Sequence, residues 1–437
     1  MSTDILLLSY KFPPFEGVGA RRWAKFSKYF VKKDFDVHVI TTKWNSKGEK
    51  SWVNDVIGNE HIKITALRTP FHFLLSKSVF LNKVVTKIEY LLSNRLGWTD
   101  EAYAFYILNF KKIVSYILEN DIKIVIATGG PFSSNYFAAK IKKEIPSVFL
   151  VQDFRDLWTE EYFFEYPTRN KNHPFYAKEK DMEKESFSAA DLIVSVTPGC
   201  LSRIETKAIN YGVKNKRYAL VENGFDENDF AKFDPKDCPR DTFNEDVLNI
   251  SHFGTLGFGR EDEFLSFLKS VKQLILESGI RICFHFFGNS PEKFKMEIQG
   301  MGLEGIVKCY SHQPHASIQK YMYFSDLHLV VNDPVSYYAF GSKIYDAFLY
   351  KKPVILISKK EALSEIIKNN KIGLVTDTGL AENVTLIEIL IKNNKLIKEK
   401  NYFNGSFNYD HYSIRTLTNK YMAAIEQFSS LSKQKNQ

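Results

Sequence analysis

The residues in this sequence best suited to chemistry are glycine turns set beside fixed cations. Gly254-Thr255-Leu256-Gly257-Phe258-Gly259-Arg260 follows the apolar run Leu248-Asn249-Ile250-Ser251-His252-Phe253 and precedes a stretch with helical spacing. Such a turn aims backbone N–H groups and the positive end of a helix at one place, and the Arg260 guanidinium there suits a doubly charged diphosphate. A second turn, Gly341-Ser342-Lys343, opens a helix that carries Asp346 three residues on. Lys343 would hold phosphate oxygens, and Asp346 would accept hydrogen bonds from ribose hydroxyls. The same spacing also suits a surface ion pair worth roughly 0.2–0.5 kcal/mol.

Near the N-terminus, Gly17-Val18-Gly19 separates the apolar run Ile5-Leu6-Leu7-Leu8-Ser9-Tyr10 from a segment with Trp23, Phe26 and Phe30 at helical spacing. It is a poor nicotinamide site. No third glycine follows at Arg22, and the next strand ends in Thr41-Thr42-Lys43 in place of an acidic ribose partner. A further cluster, Asp153-Phe154-Arg155-Asp156, could form an ion pair inside its own loop and cap the following segment. His252 on an apolar strand and His315 read as structural residues.

Short apolar segments separated by helical stretches must position these groups. In the first half they are Ile5–Tyr10, Phe35–Thr42, Ile122–Thr128, Val148–Gln152, Leu192–Val196 and Tyr218–Glu222. After a polar linker, Asp234-Pro235-Lys236-Asp237-Cys238-Pro239-Arg240-Asp241, the pattern restarts at Leu248. It continues through Arg281–Phe287, Gly305–Tyr310, Leu327–Val331, Pro353–Ile357 and Gly373–Val375. Strand alternating with helix predicts α/β architecture with two doubly wound parallel sheets, and 437 residues are too many for one core.

Four scattered cysteines, Cys200, Cys238, Cys283 and Cys309, lack metal-ligand spacing and read as buried thiols in a reducing compartment. With no long apolar run and no basic leader, a cytoplasmic location is expected. A net charge of +8 spread along the chain points away from nucleic acid. The stretch Phe71 to Arg95 mixes apolar residues with Lys77, Lys83, Lys87 and Arg95. It reads either as an ordinary core helix or as a peripheral contact with an anionic membrane surface.

Ser342-Lys343-Ile344-Tyr345-Asp346-Ala347-Phe348 through Lys352-Pro353-Val354-Ile355 resembles the nucleotide-binding helix of retaining GT-B glycosyltransferases of family 4, the group 1 glycosyltransferases. Ser9-Tyr10-Lys11-Phe12-Pro13-Pro14 with Gly17 and Gly19 resembles that family's first loop, Asp153 to Trp158 its acceptor-side motif, and Asn223-Gly224-Phe225-Asp226 its interdomain signature. One position departs. The family often carries two glutamates flanking seven residues, and here Tyr338 and Asp346 stand there. With the first acid missing, Tyr337-Tyr338-Ala339-Phe340 suggests aromatic packing against sugar or base.

The resemblance implies two Rossmann-like domains facing each other across a cleft: residues 1–223, with 413–437 packing back on them, and residues 224–412. It implies a hexosyltransferase that uses a nucleotide diphosphate sugar as co-substrate, with no metal and no other cofactor. Gly17, Gly19, Gly254, Thr255, Gly257, Arg260, Ser342, Lys343 and Asp346 would bind the donor. Arg260 and Lys343 would stabilise the departing diphosphate. Asp153, Asp156 and Arg155 would serve a saccharide acceptor, expected to be lipid-linked and to belong to surface polysaccharide synthesis such as lipopolysaccharide or capsule. A non-catalytic nucleotide-sugar-binding scaffold and a nucleotide-sugar epimerase are the alternatives.

Overall fold

A strand buried on both faces needs apolar side chains at successive positions, and β1 (Thr3–Leu8) meets that demand. Ile5 and Leu7 pack on one side with Trp23 and Phe26, while Leu6 and Leu8 pack on the other with Phe105 and Phe137. The computed structural model describes residues 3–434 apart from 16, 44–51, 70–83, 85–86, 89–90, 92–94, 160–170, 258, 333–337, 360, 378 and 404.

The chain divides into two units, Met1–Glu222 with Ile414–Gln437, and Asn223–Ser413. In the first, β1 is followed by α1 (Val18–Val31), β2 (Phe35–Thr42), β3 (Ile62–Leu67), α2 (Tyr103–Glu119), β4 (Ile124–Thr128) and α3 (Ser133–Glu144). Then come β5 (Phe149–Phe154), α4 (Tyr176–Ala189), β6 (Leu192–Ser195), α5 (Pro198–Asn210) and β7 (Tyr218–Leu220). Their sheet runs β3-β2-β1-β4-β5-β6-β7.

The second unit contains β8 (Leu248–Phe253), α6 (Arg260–Ser278), β9 (Ile282–Phe287), α7 (Glu292–Gly300), β10 (Val307–Tyr310), α8 (His315–Phe324) and β11 (Leu327–Val331). It continues with α9 (Lys343–Leu349), β12 (Val354–Ile357), α10 (Ala362–Asn369), β13 (Gly373–Thr376) and α11 (Leu380–Lys398). Its sheet runs β10-β9-β8-β11-β12-β13, and the ladders described in both sheets are parallel. These are two Rossmann-like sheets, as the alternation of apolar runs predicts.

A last helix, α12 (Ile414–Gln434), belongs to the first unit. Its Tyr421 ring meets Trp23, Phe26 and Phe30 of α1 at 6.0, 5.6 and 5.9 Å. Edge-to-face contacts of this kind add about 0.5–1.5 kcal/mol each beyond the area they bury.

β3 escapes sequence reading. It lies at a sheet edge with Lys63 and Ile64 exposed, so its sequence shows no buried run. Its place comes from the ladder with β2, Val37 opposite Ile62 through Thr42 opposite Leu67. Two thiols also differ from expectation: Cys200 and Cys283 are buried, whereas Cys238 and Cys309 are half-buried. Among the described residues, no helix is long and apolar enough to cross a membrane.

The second unit buries His252, His285 and His328. Burial is the main cause that lowers each imidazole pKa from 6.5 to about 4. The unfolded chain therefore takes up protons below pH 6.5 that the folded unit refuses. Stability is at its full value above pH 6.5 and falls as pH drops toward 4. Chemical denaturation between pH 7 and 4.5 should show this loss; a flat profile would contradict it.

Candidate functional site

In each sheet the strand order reverses beside the first strand, between β1 and β4 and between β8 and β11. Ligands of open α/β sheets bind at the C-terminal ends of the strands that flank such a point. In the second unit, β8 pairs with β11 only at Leu327 opposite Ile250 and His328 opposite Ser251, while its ladder with β9 continues to Phe253. From His252 onward β8 and β11 no longer pair. The His252 Nδ1–H donates to the Leu329 carbonyl at 3.0 Å, which fixes the tautomer because a carbonyl only accepts.

The glycine turn begins where β8 ends. Gly254 has φ +139°, and a Cβ there would stand 2.5 Å from Lys343 Cε, so the Lys343 side chain lies across the bare face of Gly254. The structure thus joins two motifs separated by 89 residues in sequence. Arg260, the first residue of α6, reaches back toward the Gly257 carbonyl at 3.5 Å. Both cations act on one neighbour: after burial, Lys343 and Arg260 are the charges that push the His252 pKa down. Thr255 is exposed, and Ser342 and Lys343 are half-exposed, so this face can be reached from solvent.

Gly288 was not singled out in the sequence. It follows β9 with φ +149°, and a Cβ there would meet the Gly254 carbonyl oxygen at 2.3 Å. The Gly254 N–H donates to the Phe287 carbonyl, and the Leu256 N–H to that of Asn289, at 2.8 and 3.0 Å. The turn after β9 therefore holds the turn after β8. The signal was a glycine directly after a wholly buried strand end, Phe286-Phe287-Gly288.

Three expectations need correction here. Asp346 is buried at 4% and close enough to His328 to affect that imidazole, so it does not form the surface ion pair that its spacing from Lys343 also suits. In a helix of seven residues, its side chain is turned inward by the packing of Ile344 and Phe348. Tyr338 and Phe340 are buried too, Phe340 within the apolar cluster of Phe253 and Ile344, which leaves them no open ring face for a sugar; Tyr337 lies outside the described residues. Finally, the first turn of α6 carries Glu261, Asp262 and Glu263, which offset the positive end of that helix. Attraction for an anion rests on Lys343 and Arg260.

In the first unit, Gly17 caps α1 without a side-chain bond, and a Cβ on Gly19 would stand 2.5 Å from an Arg155 Nη atom. The Arg155 guanidinium donates from Nε to the Gly129 carbonyl at 3.1 Å, and from Nη2 to the carbonyls of Gly129 and Gly130 at 2.6 and 3.1 Å. It therefore links the turns after β1, β4 and β5 at the switch point. Burial lowers its pKa, countered by Asp156 and Asp153. Asp156 is half-buried in the same loop.

Asp153 is corrected more strongly. It is 0% exposed, and its carboxylate takes Arg22 Nη2 at 3.0 Å, while Arg22 also donates to the carbonyls of Glu222 and Val221 at 2.8 and 3.1 Å. The aspartate is locked inside the unit and supports the loop that carries Arg155 and Asp156. Thr159 and Trp158 anchor the far side of that loop, donating to the buried carboxylates of Glu183 and Glu179 at 2.6 and 2.5 Å. Among the described residues no three His, Cys, Asp or Glu side chains gather as a metal-holding group.

Residues 258–403 match the family described as glycosyl transferases group 1. Similar solved structures cover 96–99% of the chain. Sucrose-phosphate synthase from Thermosynechococcus elongatus is 13% identical, with a TM-score of 0.63 over 99% of this chain and 98% of that one. Anabaena HepE in complex with UDP is 15% identical, with a TM-score of 0.64 over 97% and 100%. WaaG, a glycosyltransferase involved in lipopolysaccharide biosynthesis, is 14% identical, with a TM-score of 0.58 over 96% and 98%. No curated protein matches the chain by sequence.

Proposed function

The chain carries a group 1 glycosyltransferase segment on a GT-B fold, and from that premise we propose that it transfers a hexose, with retention, from a nucleoside diphosphate sugar to a saccharide acceptor. The observation that carries this reading is the seat of Lys343 across Gly254, with Arg260 acting on the same buried His252. Two cations held at one strand end can take up the charge that builds on a departing diphosphate, without a metal ion. Their geometry is set before the ligand arrives, so little reorganisation opposes the step.

Same-face attack by the acceptor hydroxyl, with a leaving phosphate oxygen taking its proton, would need no protein nucleophile. In the first unit, Arg155 and Asp156 would orient the acceptor. A lipid-linked acceptor of a surface polysaccharide pathway is the class we favour, supported by the likeness to WaaG. Most of the stretch Phe71 to Arg95 lies outside the described residues. Its described members Val84, Lys87, Ile88, Leu91 and Arg95 are exposed at helical spacing, an apolar and basic face suited to an anionic bilayer surface.

HepE has been solved with UDP and with UDP-glucose, so uridine is the first base to test. Thermal unfolding in chelator with UDP, GDP, dTDP or CMP should show selective stabilisation by one diphosphate, about 2.7 kcal/mol at a hundredfold excess over Kd. Arg260→Ala should reduce that shift. Failure of every nucleotide to stabilise the protein would overturn the donor assignment. Binding without turnover on any acceptor would favour the scaffold reading, which the buried Tyr338 at the place of the family's first acid also favours.

A further inference from the structure

The second unit has a cavity at the opposite end of its strands, where β8, β11 and β12 begin. It holds about 360 Å³ and is walled by Phe233, Phe243, Tyr323 and Phe324, with Lys352 on its floor. Asn249, Asp326 and Lys352 stand at the starts of β8, β11 and β12, whereas Gly254 and Lys343 follow the strand ends. A six-residue strand spans about 20 Å, so this place is separate from the glycine turns.

Its charges do not balance. Lys398 is paired with Asp326 at 3.2 Å, and Arg240 with Glu245 at 3.0 Å. That leaves Lys352, held by the Ser325 carbonyl at 2.7 Å and lying 5.9 Å from the Tyr323 ring centroid, and the exposed Lys400 at the rim. Burial, then Lys400, lowers the Lys352 pKa to about 8, and Asp326 only partly offsets this. Two cations that repel each other across an aromatic-walled cavity gain by taking an anion between them. The other titratable groups around Lys352 are Cys238, Arg240, Glu245, Tyr323, Asp326 and Lys398 on the cavity wall, and the buried His328, whose imidazole Lys352 helps to keep neutral.

We propose that this cavity is a second ligand site, which takes a small organic anion on an aromatic or apolar body, with Lys352 and Lys400 on the anionic group and Phe233, Phe243 and Tyr323 against the body. Nothing in the proposed transfer uses these residues, so an occupant would act on the unit from a distance.

The test is calorimetric titration of the full chain with benzenesulfonate, whose charge is constant with pH, and with phenyl phosphate and inorganic phosphate. Lys343→Met serves as a background in which the glycine-turn site is disabled. Benzenesulfonate should bind wild type and Lys343→Met alike, and severalfold more weakly to Lys400→Gln. Its affinity should fall about tenfold from pH 7 to pH 9, as Lys352 loses its proton in the free protein. Phenyl phosphate should bind more tightly than inorganic phosphate. Lys352→Met should abolish binding; because Lys352 also holds Ser325, the exposed Lys400 variant provides the independent check. The proposal is overturned by absence of binding, by affinity that is constant from pH 7 to 9, by loss of binding in Lys343→Met, or by a Lys400→Gln titration equal to wild type. Equal affinity for both phosphates would remove the aromatic body from the assignment.

Discussion

Lys343→Met is expected to abolish stabilisation by the nucleoside diphosphate and to lower kcat by about 10²–10³, while the unliganded protein unfolds at nearly the wild-type temperature. Removing one preorganised donor from a developing oxyanion costs about 2.7–4 kcal/mol in the transition state, and Lys343 carries that role in the proposed transfer. The substitution keeps much of the side-chain length, so loss of the ammonium is what the experiment reads. Lys343 is half-exposed and Gly254 leaves space for it, so folding should change by no more than about 0.5 kcal/mol. Gly254→Ala should mimic the defect by displacing Lys343, at an added cost from the φ of +139°. Full nucleotide stabilisation and turnover in Lys343→Met would refute the assignment.

The largest stability effect should come from Arg22→Met. It strands the Asp153 carboxylate, which is 0% exposed, without its cation. Breaking a buried pair from one side costs about 3–5 kcal/mol, because the remaining charge keeps hydroxyl contacts such as that from Thr128 but has no cation bonded to it and no water. For a unit of this size that corresponds to roughly 6–20 °C in Tm. The double substitution Arg22→Met with Asp153→Leu should recover most of the loss, since it removes both desolvated charges. A double variant no more stable than Arg22→Met would show that the bonds from Arg22 to the Glu222 and Val221 carbonyls, and not the ion pair, carry the stability.

Asp153 shows why a motif can be found while its chemistry is misassigned. Its position after an apolar run marked a strand end, and the structure carries that strand through Asp153 to Phe154 before the loop begins. Whether a carboxylate on that strand faces solvent or the interior depends on the pleat and on what packs opposite. Arg22, 131 residues away, decides that. The sequence offered Arg22 only as the residue that spoils a dinucleotide fingerprint. Asp346 is a parallel case on a helix: its i,i+3 spacing from Lys343 is visible in the sequence, whereas its burial beside Ile344 and Phe348 is not.

The sequence by itself determined the alternation of buried strands and helices, and with it two parallel doubly wound sheets. Runs such as Ile5 to Leu8, Leu192 to Val194 and Leu327 to Val331 have a stable home only in strands covered on both faces. It also determined where the glycine turns lie, since these must follow the strands they interrupt. The tertiary structure decided which turns meet. Lys343 reaches Gly254 because β11 lies beside β8, a neighbour relation written in neither segment; Arg155 reaches Gly19 because β4 brings Gly129 and Gly130 between them. Local periodicity records what a residue needs from its surroundings, but only the folded sheet order supplies the partner.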